Sequence, residues 1–142
     1  MTMASPANFE DWLAICNVKA DYCRLLDTKD WDGWKQLFTE DLELDTTPSG
    51  GTLEHGRDRA VDVVRSSIET AKTAHQVHFP KMEIDGDTAH VIWPMEDRVV
   101  WEEAGRALTG YGHYHEVYRR QDGQWRIAKS RLTRLTLDFT GG

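Results

Sequence analysis

The chain has 142 residues and a net charge of −7, with 29% charged and 39% hydrophobic residues. That length and balance suit one globular domain spanning 1–142. An acidic chain lacks the basic surface that a nucleic-acid partner needs, no apolar run approaches membrane-spanning length, and the start "MTMASPANFEDW" has neither the basic patch nor the apolar stretch of a secretory signal. The expected compartment is cytoplasmic.

Residues 7–28 read as one long helix, because Phe9, Leu13, Cys16, Ala20 and Cys23 recur at helical spacing. Asp27 falls within about 40° of that stripe. An aspartate in the last turn of a helix opposes the macrodipole, so it is either a turn residue ordering the next step or a carboxylate facing a cavity. Tyr22 stands five residues earlier, about 140° round the helix; it is a core tyrosine or a residue of the cavity rim. Cys16 and Cys23 are separated by about 10 Å of helical rise, too far for a disulfide, and read as small buried residues.

Residues 30–38 suggest a short second helix capped by Asp30. Residues 42–45 suggest a short strand and "TTPSGG" (46–51) a loop. Residues 56–71 read as a third helix with Ala60, Val63, Val64 and Ile68 on its inner face. The second half changes character. Residues 74–84, 88–101, 107–120 and 124–139 are rich in β-branched and aromatic residues and are separated by the turn signals "DGD", "EEAG" and "QDGQ". Helices first and strands afterwards give an α+β fold, with helices packed on one face of a strongly curved, mainly antiparallel sheet. Such a cone has one open end, where a ligand would sit.

Candidate chemistry lies mostly in this second half. His75 and His78 have odd spacing and so point to opposite faces of a strand. His113 and His115 share a face with Tyr111 and Val117; a same-face pair is a possible metal-ligand pair, but no spacing fixes a third ligand beyond Asp27 or His78. No metal is therefore assigned. Asp97 shares the alternating face of Val91, Trp93, Met95 and Val99, as a buried polar partner or the mark of a bulge after Pro94. Arg134 shares a face with Ser130 and Leu132; inward it would need an anion, outward it would be solvated. The sequence has no phosphate-binding loop, dinucleotide fingerprint or nucleophile elbow.

Three stretches, "ADYCRLLDTKDWDGWKQLFTEDLELD" (20–45), "HQVHFPKMEIDGDTAHVIWPMED" (75–97) and "GYGHYHEVYRRQDGQWRIAKSRLTRL" (110–135), resemble the SnoaL-like branch of the nuclear transport factor 2-like superfamily, the cone fold of steroid isomerases and scytalone dehydratase. The resemblance implies a functional aspartate at Asp27 and a histidine on the first long strand at His78. Through the bacterial bile acid dehydratase it further implies a tyrosine at Tyr22 and an arginine at Arg134. The second tyrosine of those dehydratases has no counterpart in "LELDTTPSGG". The third-strand histidine of scytalone dehydratase falls near His113 and His115 without a firm equivalent. These cones usually form homodimers or homotrimers, and the same is expected here.

Together these readings point to a lyase without cofactor acting on a small, largely apolar ring compound. A histidine takes a proton near neutral pH, and a carboxylate beside it fixes its tautomer. The general-base dyad is expected to be Asp27 and His78, with Tyr22 and Arg134 donating to an oxygen that gains charge. Trp93, Asp97, His113 and His115 are expected to contact substrate. The alternatives are an isomerase or polyketide-type cyclase with the same dyad, or a non-catalytic ligand-binding module.

Overall fold

The computed structural model describes residues 2–3 and 8–141. Helix α1 (Phe9–Asp27) is followed by α2 (Trp31–Lys35), β2 (Phe38–Asp45), a 3-10 turn (Thr47–Ser49), β3 (Leu53–His55) and α3 (Arg57–Ile68). Then come β4 (Lys72–Val77), β5 (Lys81–Asp85), β6 (Thr88–Trp101), β7 (Arg106–Gln121) and β8 (Gln124–Gly141); a two-residue β1 (Thr2–Met3) precedes α1. Residue 7, where the periodicity starts the first helix, lies outside the described residues. Asp30 caps α2 as its sequence implies, its carboxylate accepting from the Gly33 N–H at 3.0 Å.

The fold is α+β, with the helices against a curved, open, mixed sheet ordered β1-β5-β6-β7-β8-β2-β3. The pairings are antiparallel except β2 with β8. The expected strand 74–84 is two strands. Pro80 has no N–H to give a ladder, and β4 and β5 lie end to end along the same side of β6, paired with Met95–Val100 and Thr88–Ile92. In β8 the register shifts opposite Val117/Tyr118 and again opposite Tyr111/Gly112. Each bulge flips the side-chain alternation and bends the strand. The first brings Ser130, Leu132 and Arg134 onto the inner face that Trp125 and Ile127 occupy before it.

The narrow end of the cone is filled with aromatics. Trp34 stands edge-on to Phe38 at 4.8 Å between centroids and Tyr22 lies 5.4 Å from Trp34, over the buried Ile127 and Tyr118. The face of α1 differs from the one hydropathy suggests. Ile15, Lys19, Tyr22 and Leu26 are buried, whereas Phe9, Leu13 and Ala20 are exposed. A lysine occupies the centre of the buried stripe because it has a partner. Its Nζ lies 2.9 Å from Glu116, both side chains 0% exposed. That rotation places Tyr22, not the cysteines, on the inner face. Among the described residues no helix is long and apolar enough to cross a membrane.

Candidate active site

A cavity of about 410 Å³ opens between α3, the loop after β2 and the concave face of the sheet. Tyr22, His75, Asp97, Tyr114 and Ser130 line its buried end; Val64, Ile68, Leu108 and Leu132 form apolar walls; Trp101, Arg106 and Phe139 stand at its exposed end.

Asp27 ends α1 against β4. Its Oδ1 accepts from the Thr73 hydroxyl at 2.9 Å and sits 2.7 Å from His75 Nδ1, and its Oδ2 accepts from the His75 backbone N–H at 2.8 Å. Lys29 Nζ donates to the Thr73 oxygen at 2.9 Å, so the Thr73 proton points at Asp27. A carboxylate only accepts, so a proton sits on His75 Nδ1, and in the neutral ring the lone pair is on Nε2. Nε2 stands 3.9 Å from Oδ2 of Asp97. The His75 ring is thus held between two carboxylates with its basic nitrogen on the cavity side.

Asp97, on β6, is clamped in turn. Both its oxygens accept from Arg134, at 2.7 and 3.1 Å, and Arg134 Nε donates to the Ser49 hydroxyl at 2.8 Å. The Arg134 side chain is only 11% exposed. The guanidinium has room because residue 110 is glycine: a Cβ there would strike both Arg134 and Asp97.

Tyr22 and Tyr114 face each other with ring centroids 5.7 Å apart. Lys19 Nζ lies 3.6 Å from the centroid of each ring. Burial pushes both phenols well above their ordinary range, and the Glu116 charge adds to it. Both therefore stay protonated and can donate at neutral pH. Behind them Glu116 accepts from Lys19, from the Ser130 hydroxyl at 2.6 Å and from the Tyr118 hydroxyl at 2.7 Å; Tyr118 accepts from the Trp93 indole N–H at 3.2 Å.

The sequence-predicted residues divide. Tyr22 and Asp97 line the cavity's buried end, and Asp27 and Arg134 stand behind that lining, held to His75 and Asp97. His78 does not join them: it is displaced from Asp27 by the parity of β4, its side chain is 56% exposed, and its Nε2 pairs with Glu96 at 2.9 Å. The imidazole on Asp27 is His75. Trp93 is buried in the Glu116 network and does not line the cavity. His113 and His115 lie on the outer sheet face, 6.2 Å apart between centroids, with His115 near the Thr133 hydroxyl at 3.0 Å; neither contributes to the cavity. Partial burial and the neighbouring charges of His113 and Arg131 lower the His115 pKa. Among the described residues no group of three or more His, Cys, Asp or Glu side chains is arranged to hold a metal ion.

Sequence reasoning missed His75, Tyr114 and the Lys19–Glu116 pair. The signal for His75 was present: Thr73, His75 and Val77 alternate with Lys72, Ala74 and Gln76, so the apolar parity of β4 carries His75 inward.

The model of the SnoaL-like domain matches residues 7–131. The chain belongs to the SnoaL-like family. It is 28% identical over 129 residues to the "Probable cyclase FGR4" of Gibberella zeae, covering 82% of this chain and 86% of that protein. A solved structure from Novosphingobium aromaticivorans, assigned as an aromatic ring hydroxylase, superposes with a TM-score of 0.87 at 27% identity over 96% of each chain. A second from the same organism, assigned as a scytalone dehydratase, superposes with a TM-score of 0.84 at 22% identity, covering 92% of this chain and 88% of that one, which shows the shared fold. This SnoaL-like chain thus keeps company with proteins named for enzymatic reactions.

Proposed function

We propose that this SnoaL-like protein is a cofactor-independent lyase that eliminates a small leaving group, such as water, from a largely apolar ring compound. The observation that carries this reading is His75, fixed by Asp27 with its Nε2 free towards the cavity. Nε2 takes a proton from a substrate carbon, and the electrons of that C–H bond form a new π bond. The leaving hydroxyl departs from the adjacent carbon with its bonding pair. His75, now an imidazolium between Asp27 and Asp97, returns its proton to that hydroxyl and releases water, which resets the base. Tyr22 and Tyr114 donate hydrogen bonds to the substrate oxygen that gains charge. The apolar walls exclude bulk water around that step.

Arg134 serves this site through Asp97, because both its forks are engaged. Its role is to hold the second carboxylate beside His75, not to meet substrate. A cyclase using the same base is the second reading, favoured by the name of the Gibberella zeae relative. Incubation with a panel of hydroxylated and phenolic ring compounds, followed by mass spectrometry, separates the two. Loss of 18 mass units, one water, by wild type and His78→Ala but not by His75→Ala or Asp27→Asn is the expected result. A product of unchanged mass supports the cyclase, and turnover that survives His75→Ala overturns the base assignment.

A further inference from the structure

Two arginines near the cavity are in opposite situations: Arg106 lines it, and Arg134 stands behind the lining residue Asp97. Arg134 is neutralised by a bidentate contact with Asp97. Glu54, also at the cavity, is met by Arg59 at 3.0 Å. Arg106 is different: among the described residues no carboxylate lies within ion-pairing distance of it. Of the two acidic residues on its own turn, Glu102 is taken by Lys72 at 2.7 Å, and Glu103 makes no ion pair with Arg106.

Arg106 is nonetheless held in place. It pairs with Trp101 in the register of β6 and β7, across the 102–105 turn. Its guanidinium carbon lies 4.8 Å from the Trp101 ring centroid, and the Trp101 indole donates to the Ser67 carbonyl of α3 at 3.1 Å. The ring contact holds the guanidinium without using an ion-pair partner, and an arginine fork suits a carboxylate. The chain as a whole is acidic, at −7, and its field repels anions. A cation with no carboxylate partner among the described residues, at the open end of the cavity, reverses that locally.

We infer that Arg106 selects substrates whose ring system fills the apolar section of the cavity and which carry a carboxylate at the end facing outward, away from His75. This names the substrate class of the proposed lyase site and rests on that reading only in taking the cavity as the ligand site. The reacting end is then uncharged, because the Arg134 charge is already matched by Asp97, and the recognised charge lies at the opposite end.

The test is binding, which needs no turnover. Titrate wild type, Arg106→Gln and Arg106→Glu with naphthol and with hydroxynaphthoic acid, at low and at raised salt, following tryptophan fluorescence and calorimetry. Wild type should bind the acid about fivefold more tightly than the neutral compound at low salt, as for a partly exposed ion pair. Arg106→Gln should erase that preference, Arg106→Glu should reverse it, and naphthol affinity should stay within about twofold in all three. Equal binding of the two compounds by wild type, or a preference for the acid that survives Arg106→Gln, overturns the inference and leaves the His75 chemistry standing. Failure of wild type to bind either compound overturns both.

Discussion

Two groups of buried charge flank the tyrosine pair, and they are built for different ends. On one side lie Lys19, Glu116, Tyr118 and Trp93. Every member is satisfied by another member, the lysine and glutamate side chains have no exposed surface, and the group meets the cavity lining through the Ser130 hydroxyl and the faces of Tyr22 and Tyr114. On the other side lie Asp27, His75, Asp97 and Arg134. These are equally well paired, except that one lone pair, on His75 Nε2, is left towards the cavity. The first group is closed and shapes the site; the second is closed but for one position, and that position can do chemistry. Hydrogen-bond completeness separates the two groups better than burial does.

Breaking the closed group should show most strongly in stability. Lys19→Met or Glu116→Leu each leaves an unpaired buried charge and should cost about 3–5 kcal/mol in urea unfolding, whereas the double variant should recover most of that. Single variants that cost no more than the double would show that the pair is not coupled.

Breaking the open group should instead show in rate. His75→Ala should lower turnover of any accepted substrate by about a hundredfold or more, with unfolding free energy changed by no more than about 1–2 kcal/mol. Arg134→Lys keeps the charge but loses the fork on Asp97. A destabilisation of about 1–2 kcal/mol is expected, with activity reduced less than by His75→Ala.

The smallest effect sharpens the contrast from outside the cavity. His115, on the outer face, has its pKa lowered chiefly by desolvation. The folded state therefore prefers its neutral form. That contribution is complete above the ordinary value of 6.5 and is lost as pH falls from there through the folded value. His115→Asn should slightly flatten the acid limb of a thermal-stability profile and leave activity untouched.

The order of elements and the curved sheet were legible because strand composition, turn signals and helix periodicity agree along the chain. The details that failed share a cause. Lys19 was passed over because charged residues are read as exposed, so the inner face of α1 was placed on Phe9 and Leu13. Glu116 was passed over likewise. His113 and His115 attracted notice as a pair, while Tyr114 between them is the residue that turns inward. The choice of His78 over His75 came from resemblance and not from the alternation of β4, which favours His75. Only a partner across the fold decides such cases, and sequence periodicity cannot see it.

The groups around His75 are drawn from the end of α1 and the interiors of β4, β6 and β8, whereas the outer end of the cavity is drawn from the 46–52 loop, the 102–105 turn and the tail of β8. Turns and strand tails accept insertions and substitutions that strand interiors do not. A lineage built on this frame can therefore rewrite its rim while the buried groups around His75 stay in place.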